Sequence, residues 1–146
     1  MRIIVDADAT PSLKEIINIA VKHNLKCHLF CDYNHNLNNL NAEIHYISEG
    51  FQSVDIAISN FILLKDILIT QDYGLACIAL SKGAKAINPN GTIYTNDNID
   101  NLLEQRYLNI LNRKQNIHTK NIKKRTKETN EKFLHLLEIL ITDNEK

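Results

Sequence analysis

Apolar and polar residues alternate along the chain in two periods, and the switches between them mark out the elements. "RIIVD" is a short apolar run, as expected of a strand, and "SLKEIINIAVKH" follows with Leu13, Ile16, Ile17 and Ala20 on one helical face. Two starts are available to that helix. Thr10 can cap it with Pro11 at the first helical position, or Ser12 can cap it with Glu15 three residues on. "LKCHLFC" reads as a second strand, "DYNHNLNNLN" as an Asn-rich loop, and "EIHYIS" as a third strand stopped by Gly50.

"SVDIAISNFIL" places Val54, Ala57, Ile58, Phe61 and Ile62 at helical spacing. "DILIT" has no polar residue in its middle, the mark of a strand buried on both faces. "YGLACIALSKG" is a helix closed by Gly83, and "AKAIN" is a fifth strand. "PNG" turns the chain, "TIYT" allows a further short extended piece, and "NDNIDNLLEQRYLNIL" is helical. The order implies an α/β fold in three layers, a mainly parallel five-stranded sheet with helices on both faces, over residues 1–112. A polar, basic connection follows over 113–128. A C-terminal helix over 129–142 must pack its apolar face on the body or on a second subunit, which would make a homodimer.

In an open parallel sheet, ligands bind beyond the carboxyl ends of the strands, at a switch in strand order. That rule sorts the acids. Asp6 and Asp8 leave the first strand and Asp72 leaves the fourth, while Asp55 opens the helix that precedes the fourth. Asp66 precedes the fourth strand and belongs to the opposite edge, as a structural residue. Asp32 follows the second strand as an ordinary turn residue. Taken singly, each acid is a cap or a turn. Taken together, four carboxylates at one edge repel unless a cation sits among them. Oxygen ligands favour Mg²⁺ or Mn²⁺, with Asp6, Asp8 and Asp72 as ligands and Asp55 as a ligand or water-orienting base.

Charge sharpens this picture. The net charge is zero, but residues 1–105 carry 7 Lys/Arg against 12 Asp/Glu, and residues 106–146 carry 10 against 5. Arg106, Arg113, Lys123, Lys124 and Arg125 can bind a nucleic-acid backbone through charge, or form a solvated basic arm. Tyr73 and Tyr94 can stack on bases, or sit partly buried with bonded hydroxyls. The three cysteines lack a CxxC pair. Cys27 and Cys31, four residues apart in a strand, lie roughly 13 Å from each other, too far for a disulfide. A zinc site of Cys27, His28, Cys31 and His35 is disfavoured because successive strand residues face opposite ways. None of the six histidines is assigned as a ligand, although His118 can touch phosphate. No apolar run reaches the length of a membrane span and the N-terminus enters a strand at once, so a cytosolic protein is expected.

"IIVDADAT" also fits the opening motif of haloacid-dehalogenase-like phosphatases, with Asp6 as nucleophile and Asp8 as general acid. That chemistry needs a lysine and a later acidic pair. After "ILIT" there is a single acid, and Lys65 precedes its strand, at the wrong edge. The phosphatase is the weaker enzyme reading.

The stretches "IIVDADATP", "SVDIAISNFI", "DILITQDYGLACIALSKGAKAINPNG" and "IYTNDNIDNLLEQR" resemble the YaiI/YqxD family of bacterial proteins. The resemblance runs from Arg2 to about Arg113, and more loosely through "KRTKETNEKFLHLL". Its "ITQD", "LA" and "G" pattern is also similar to PIN-like nuclease domains. The resemblance implies a PIN-like three-layer fold and an acidic divalent-metal site. Its acidic positions match Asp6, Asp8, Asp55 and Asp72, its Asn/Pro/Gly turn matches Asn88 to Gly91, and a recurrent Arg matches Arg106. Thr10 stands where the family commonly has Cys, and Gln52 where it commonly has an acid. A catalytic thiol is therefore either not required or lost here, and one fewer charge means a weaker second metal site or none. The expected function is Mg²⁺/Mn²⁺-dependent hydrolysis of phosphodiesters, with RNA as the substrate. The alternative is a non-catalytic RNA- or protein-binding module.

Overall fold

The computed structural model describes residues 1–32, 41–48, 53–114 and 126–145. Its elements are β1 (Ile3–Asp6), a single 3-10 turn (Ala7–Ala9), α1 (Leu13–Lys22), β2 (Cys27–Asp32), β3 (Glu43–Ile47) and α2 (Val54–Phe61). These are followed by β4 (Ile67–Ile69), α3 (Tyr73–Ser81), β5 (Lys85–Asn88), β6 (Thr92–Tyr94), α4 (Ile99–Lys114) and α5 (Lys127–Glu145). The strands form one sheet in the order β3-β2-β1-β4-β5-β6. All pairs are parallel except β5–β6.

The further extended piece allowed for "TIYT" is a sixth strand, added to the five expected. The turn before it is built by Asn88, whose side-chain oxygen accepts from the Asn90 amide while its carbonyl accepts from Gly91. Gly91 takes φ +91°, open to glycine at no cost.

The period of two along the strands divides the core. Ile3, Val5, Leu29, Ile67, Ile69 and Ile87 face α1 and α5, while Ile4, Phe30, Leu68 and Ala86 face α2 and α3. The central strands are buried on both faces, which is why they contain no polar position in their middle. Helix α1 buries Ile16, Ile17 and Ala20, and α2 buries Ala57 and Ile58. Gly83, at φ +79°, ends α3 in the left-handed conformation that a helix stop requires. Of the two packings open to the last helix, the body is the one adopted: Phe133, Leu137 and Ile141 of α5 are fully buried in the core beside α1.

The start of α1 differs from both expectations. Ser12 holds the cap position at φ 65° but makes no side-chain cap bond; its hydroxyl donates to Asn130 of α5. The Thr10 hydroxyl donates instead to the Asp6 carbonyl at 2.7 Å. Both hydroxyls are used to tie the first loop down rather than to cap the helix. The stop expected at Gly50 and most of the Asn-rich loop lie outside the described residues. No helix among those described is long and apolar enough to cross a membrane.

Candidate metal centre

Strand order reverses between β1 and β4, so a crevice opens beyond their carboxyl ends. Asp6 is the last residue of β1 and Asp8 lies in the 3-10 turn that follows. Asp72 caps α3 just beyond β4, and Asp55 lies in the first turn of α2. All four come from segments that end or begin at this edge.

Asp6 is only 8% exposed, and its carboxylate accepts from the Thr70 hydroxyl at 3.2 Å. The Asp6 carboxyl is pushed up to about 6 by the sum of several influences, of which burial is the largest. The Thr70 bond pulls it down, and the charges of Asp55, Asp8 and Asp72 push it up again. Asp55 is raised too, first by burial and then by Asp72, whose carboxylate lies within hydrogen-bonding reach. The carboxylates thus act on one another, and among the described residues the charges felt by Asp6 are all acidic.

The surrounding bonds hold these acids in place. Asp72 accepts from the Leu75 amide at 3.1 Å, and its own amide donates to Thr70 Oγ1 at 3.0 Å. Gly74 leaves room beside it, since a Cβ there would stand 3.3 Å from Asp72 Oδ1. Asp8 Oδ2 accepts from the Asp32 amide at 3.2 Å, so Asp32 serves the turn through its backbone. The Gln71 amide group donates to the Ala9 carbonyl and bridges the two loops of the crevice.

A cleft of about 530 Å³ opens over Asp6 and Asp72, lined also by Gln71, Tyr73, Gln105 and Asn109. Its far wall is α4, which supplies Gln105 and Asn109 one turn apart. Tyr94 is buried, accepts from Asn88 at 2.8 Å and donates to the Thr70 carbonyl at 3.2 Å, so it supports the site rather than stacking on a base. Tyr73 packs edge-on against it, with ring centres 5.7 Å apart, and reaches the cleft.

The carboxylates are not drawn into a tight ligand set. Among the described residues, three ligand atoms come within 4.8 Å of one another only at His28, Glu43 and His45, elsewhere on the sheet. The donors of the four acids are all oxygen, which suits a hard divalent ion such as Mg²⁺ or Mn²⁺.

The remaining sequence candidates sort by edge. Asp66 is buried at the opposite end, in a two-point pairing with Arg2 (2.5 and 3.1 Å), as expected of a structural acid. Lys65 is beside it and far from Asp6 in the strand direction, so Lys65 is not placed to serve as the lysine that a phosphatase would need. Arg106 and Arg113 belong to α4, but their side chains, with Lys123, Lys124, Arg125 and Gln52, lie outside the described residues. Sequence reading missed Thr70, Gln71, Gln105 and Asn109. The first two share the strand-end segment of Asp72 and were open to the same edge rule. Gln105 and Asn109 enter only through the placement of α4.

A family model described as "Uncharacterized BCR, YaiI/YqxD family" matches residues 4–143. The chain is 46% identical over 141 residues to a UPF0178 protein of Clostridium tetani, covering 97% of each chain. It is 43% identical to one of Clostridium perfringens (strain SM101), covering 97% of this chain and 95% of that one. A third relative, from Clostridium novyi, is 45% identical over 130 residues, covering 89% and 87%. No solved structure matches. With the family model spanning nearly the whole chain and these relatives alongside it, the protein belongs to the YaiI/YqxD family.

Proposed function

We propose that the protein is a Mg²⁺- or Mn²⁺-dependent hydrolase of phosphodiester bonds, with RNA as its substrate. The observation that carries this reading is the set of mutually repelling carboxylates at the β1–β4 switch point, where Asp55, Asp8 and Asp72 raise Asp6. Asp6, Asp8 and Asp72 would hold the ion. When bound, such an ion supplies the positive charge that activates water and stabilises a leaving oxygen.

The chain's own residues supply position and proton transfer. Thr70 holds the Asp6 carboxylate by its hydroxyl, and the Leu75 amide holds that of Asp72. Asp55 is exposed and its carboxyl is raised, so it can take a proton from an attacking water more readily than an ordinary aspartate. Gln105 and Asn109 on the cleft wall offer amide groups to a phosphate or sugar. RNA as substrate rests on the cleft and on the basic excess beyond residue 105.

The test is incubation of single-stranded RNA with the protein and Mn²⁺. Cleavage by wild type that disappears in Asp6→Asn and Asp72→Asn supports the reading. Asn caps a helix as well as Asp, so Asp72→Asn removes the charge without removing the cap. RNA binding by wild type without cleavage would favour the binding module, and a phosphoryl group trapped on Asp6 would favour the phosphatase.

A further inference from the structure

At the other end of α2, on the same face of the sheet, a second group of side chains converges. β2 and β3 pair in parallel with His28 opposite Glu43 and Phe30 opposite His45. Since side chains alternate, all four of these residues face the α2 side. His28 Nδ1 lies 3.0 Å from His45 Nε2 and 3.2 Å from Glu43 Oε2. The three ligand atoms all fall within 4.8 Å of one another. In a tetrahedral zinc site with bonds of about 2.0–2.1 Å, neighbouring ligand atoms stand about 3.3 Å apart. The two spacings from His28 Nδ1, 3.0 and 3.2 Å, are close to that.

The rings are held in this arrangement from outside. Phe30 stacks on His45 at 4.4 Å, and Phe61 at the end of α2 meets His28 edge-on at 4.8 Å. The His28 side chain is 6% exposed, whereas that of Glu43 is 61% exposed, so the group has a dry floor and an open mouth. Burial, the first cause, lowers the pKa of both imidazoles, which keeps their lone pairs available near neutral pH.

His28 Nε2 is buried with no hydrogen-bond partner among the described residues. If the His28 proton is on Nδ1, the ring leaves a buried bare lone pair at Nε2. If the proton is on Nε2, that N–H is the buried unpaired group, while Nδ1 can accept from His45 Nε2 at 3.0 Å and also faces the Glu43 carboxylate at 3.2 Å. A cation at the meeting point would be met by lone pairs from all three facing atoms, with His28 protonated on Nε2. Two imidazole nitrogens with one carboxylate select a borderline ion rather than Mg²⁺.

We propose that His28 Nδ1, Glu43 Oε2 and His45 Nε2 form a site for a zinc-type divalent cation, separate from the acidic centre and with a coordination position open to solvent. The ion would clip the edge strand β3 to β2. The site lies one helix length, about 12 Å, from the α2 end that carries Asp55. It does not depend on the nuclease reading.

The test uses the full-length, nitrogen-15-labelled chain titrated with Zn²⁺ in excess Mg²⁺, with the imidazole nitrogens followed by NMR. The expected result is that His28 and His45 shift at one equivalent of Zn²⁺ while His23, His35, His118 and His135 do not. A chelator competition then reads affinity. Glu43 is exposed, so Glu43→Gln should fold, and it should weaken Zn²⁺ binding by about tenfold or more, as losses around metal sites do. Asp6→Asn should leave Zn²⁺ affinity unchanged. Unmoved His28 and His45 signals in wild type overturn the site. So does equal affinity in Glu43→Gln and wild type, or a loss of Zn²⁺ binding that follows Asp6→Asn instead.

Discussion

The Thr70 hydroxyl, one residue beyond β4, donates to the Asp6 carboxylate at the end of β1, 3.2 Å away. It closes the switch point between the two strands and is, among the described residues, the one lowering influence on Asp6 against burial and three acids. Thr70 is itself fully buried, and it also receives the Asp72 amide on its hydroxyl oxygen and the Tyr94 hydroxyl on its carbonyl. One side chain thus links the two principal acids of the crevice.

Thr70→Val keeps the shape and removes the hydroxyl. The Asp72 amide loses its acceptor and Asp6 loses its donor, so we expect a loss of about 1–3 kcal/mol in urea unfolding at pH 7. The Asp6 carboxyl should titrate above 6 in carbon-13 NMR. An unchanged Asp6 titration would remove the bond from the account.

Asp6 also sets a pH dependence of stability in the metal-free protein. Its folded pKa, about 6, lies above the value of about 3.9 for an unfolded aspartate. The folded state therefore holds this proton more tightly. Its stabilising contribution is complete below about pH 4 and is lost as pH rises through 6. In EDTA, wild type should lose on the order of 2 kcal/mol from this group between pH 4 and 8. Asp6→Asn should show a flatter profile and be the more stable of the two at pH 8. If Asp6 is a metal ligand as proposed, Mn²⁺ should raise the melting temperature of wild type at pH 8 but not that of the variant.

The Arg2–Asp66 pairing should act on stability alone. Asp66 is buried and also accepts from the Leu63 amide at 2.9 Å, while Arg2 donates to the Phe61 carbonyl and lies 4.3 Å from the Phe61 ring centre. Arg2→Met leaves a buried carboxylate with one partner fewer. We expect a cost of about 2–4 kcal/mol, below the full value for a buried pair because Arg2 is partly exposed. Mn²⁺ binding, measured by water relaxation on the folded variant, should be unaffected, since the pair lies at the far edge.

Helix α5 belongs to the core of the same chain. Phe133→Ala should cost about 3–5 kcal/mol by chemical denaturation, the range for a large buried aromatic. A loss below 1 kcal/mol would mean that α5 does not pack there in solution.

Much of this was legible along the chain. Alternating runs located the strands and helices, because a buried parallel strand and an amphipathic helix each need their own spacing of apolar residues. The same reading separated Asp66 from Asp72, since a residue's place before or after a strand decides its edge. Contacts between distant segments were not legible. Strand order puts β1 beside β4, so Thr70 meets Asp6. The placement of α4 brings Gln105 and Asn109 to the cleft. The register of β2 against β3 sets His28 beside Glu43 and His45, where the spacing of "CHLFC" by itself argued against a metal site. Thr10 and Ser12 bond to partners that local capping rules do not foresee. Sequence by itself determined the elements and the edge on which each acid falls, because both follow from local periodicity and chain direction. Tertiary structure alone decided which side chains meet, because pairing order and helix docking depend on burial summed over the whole core.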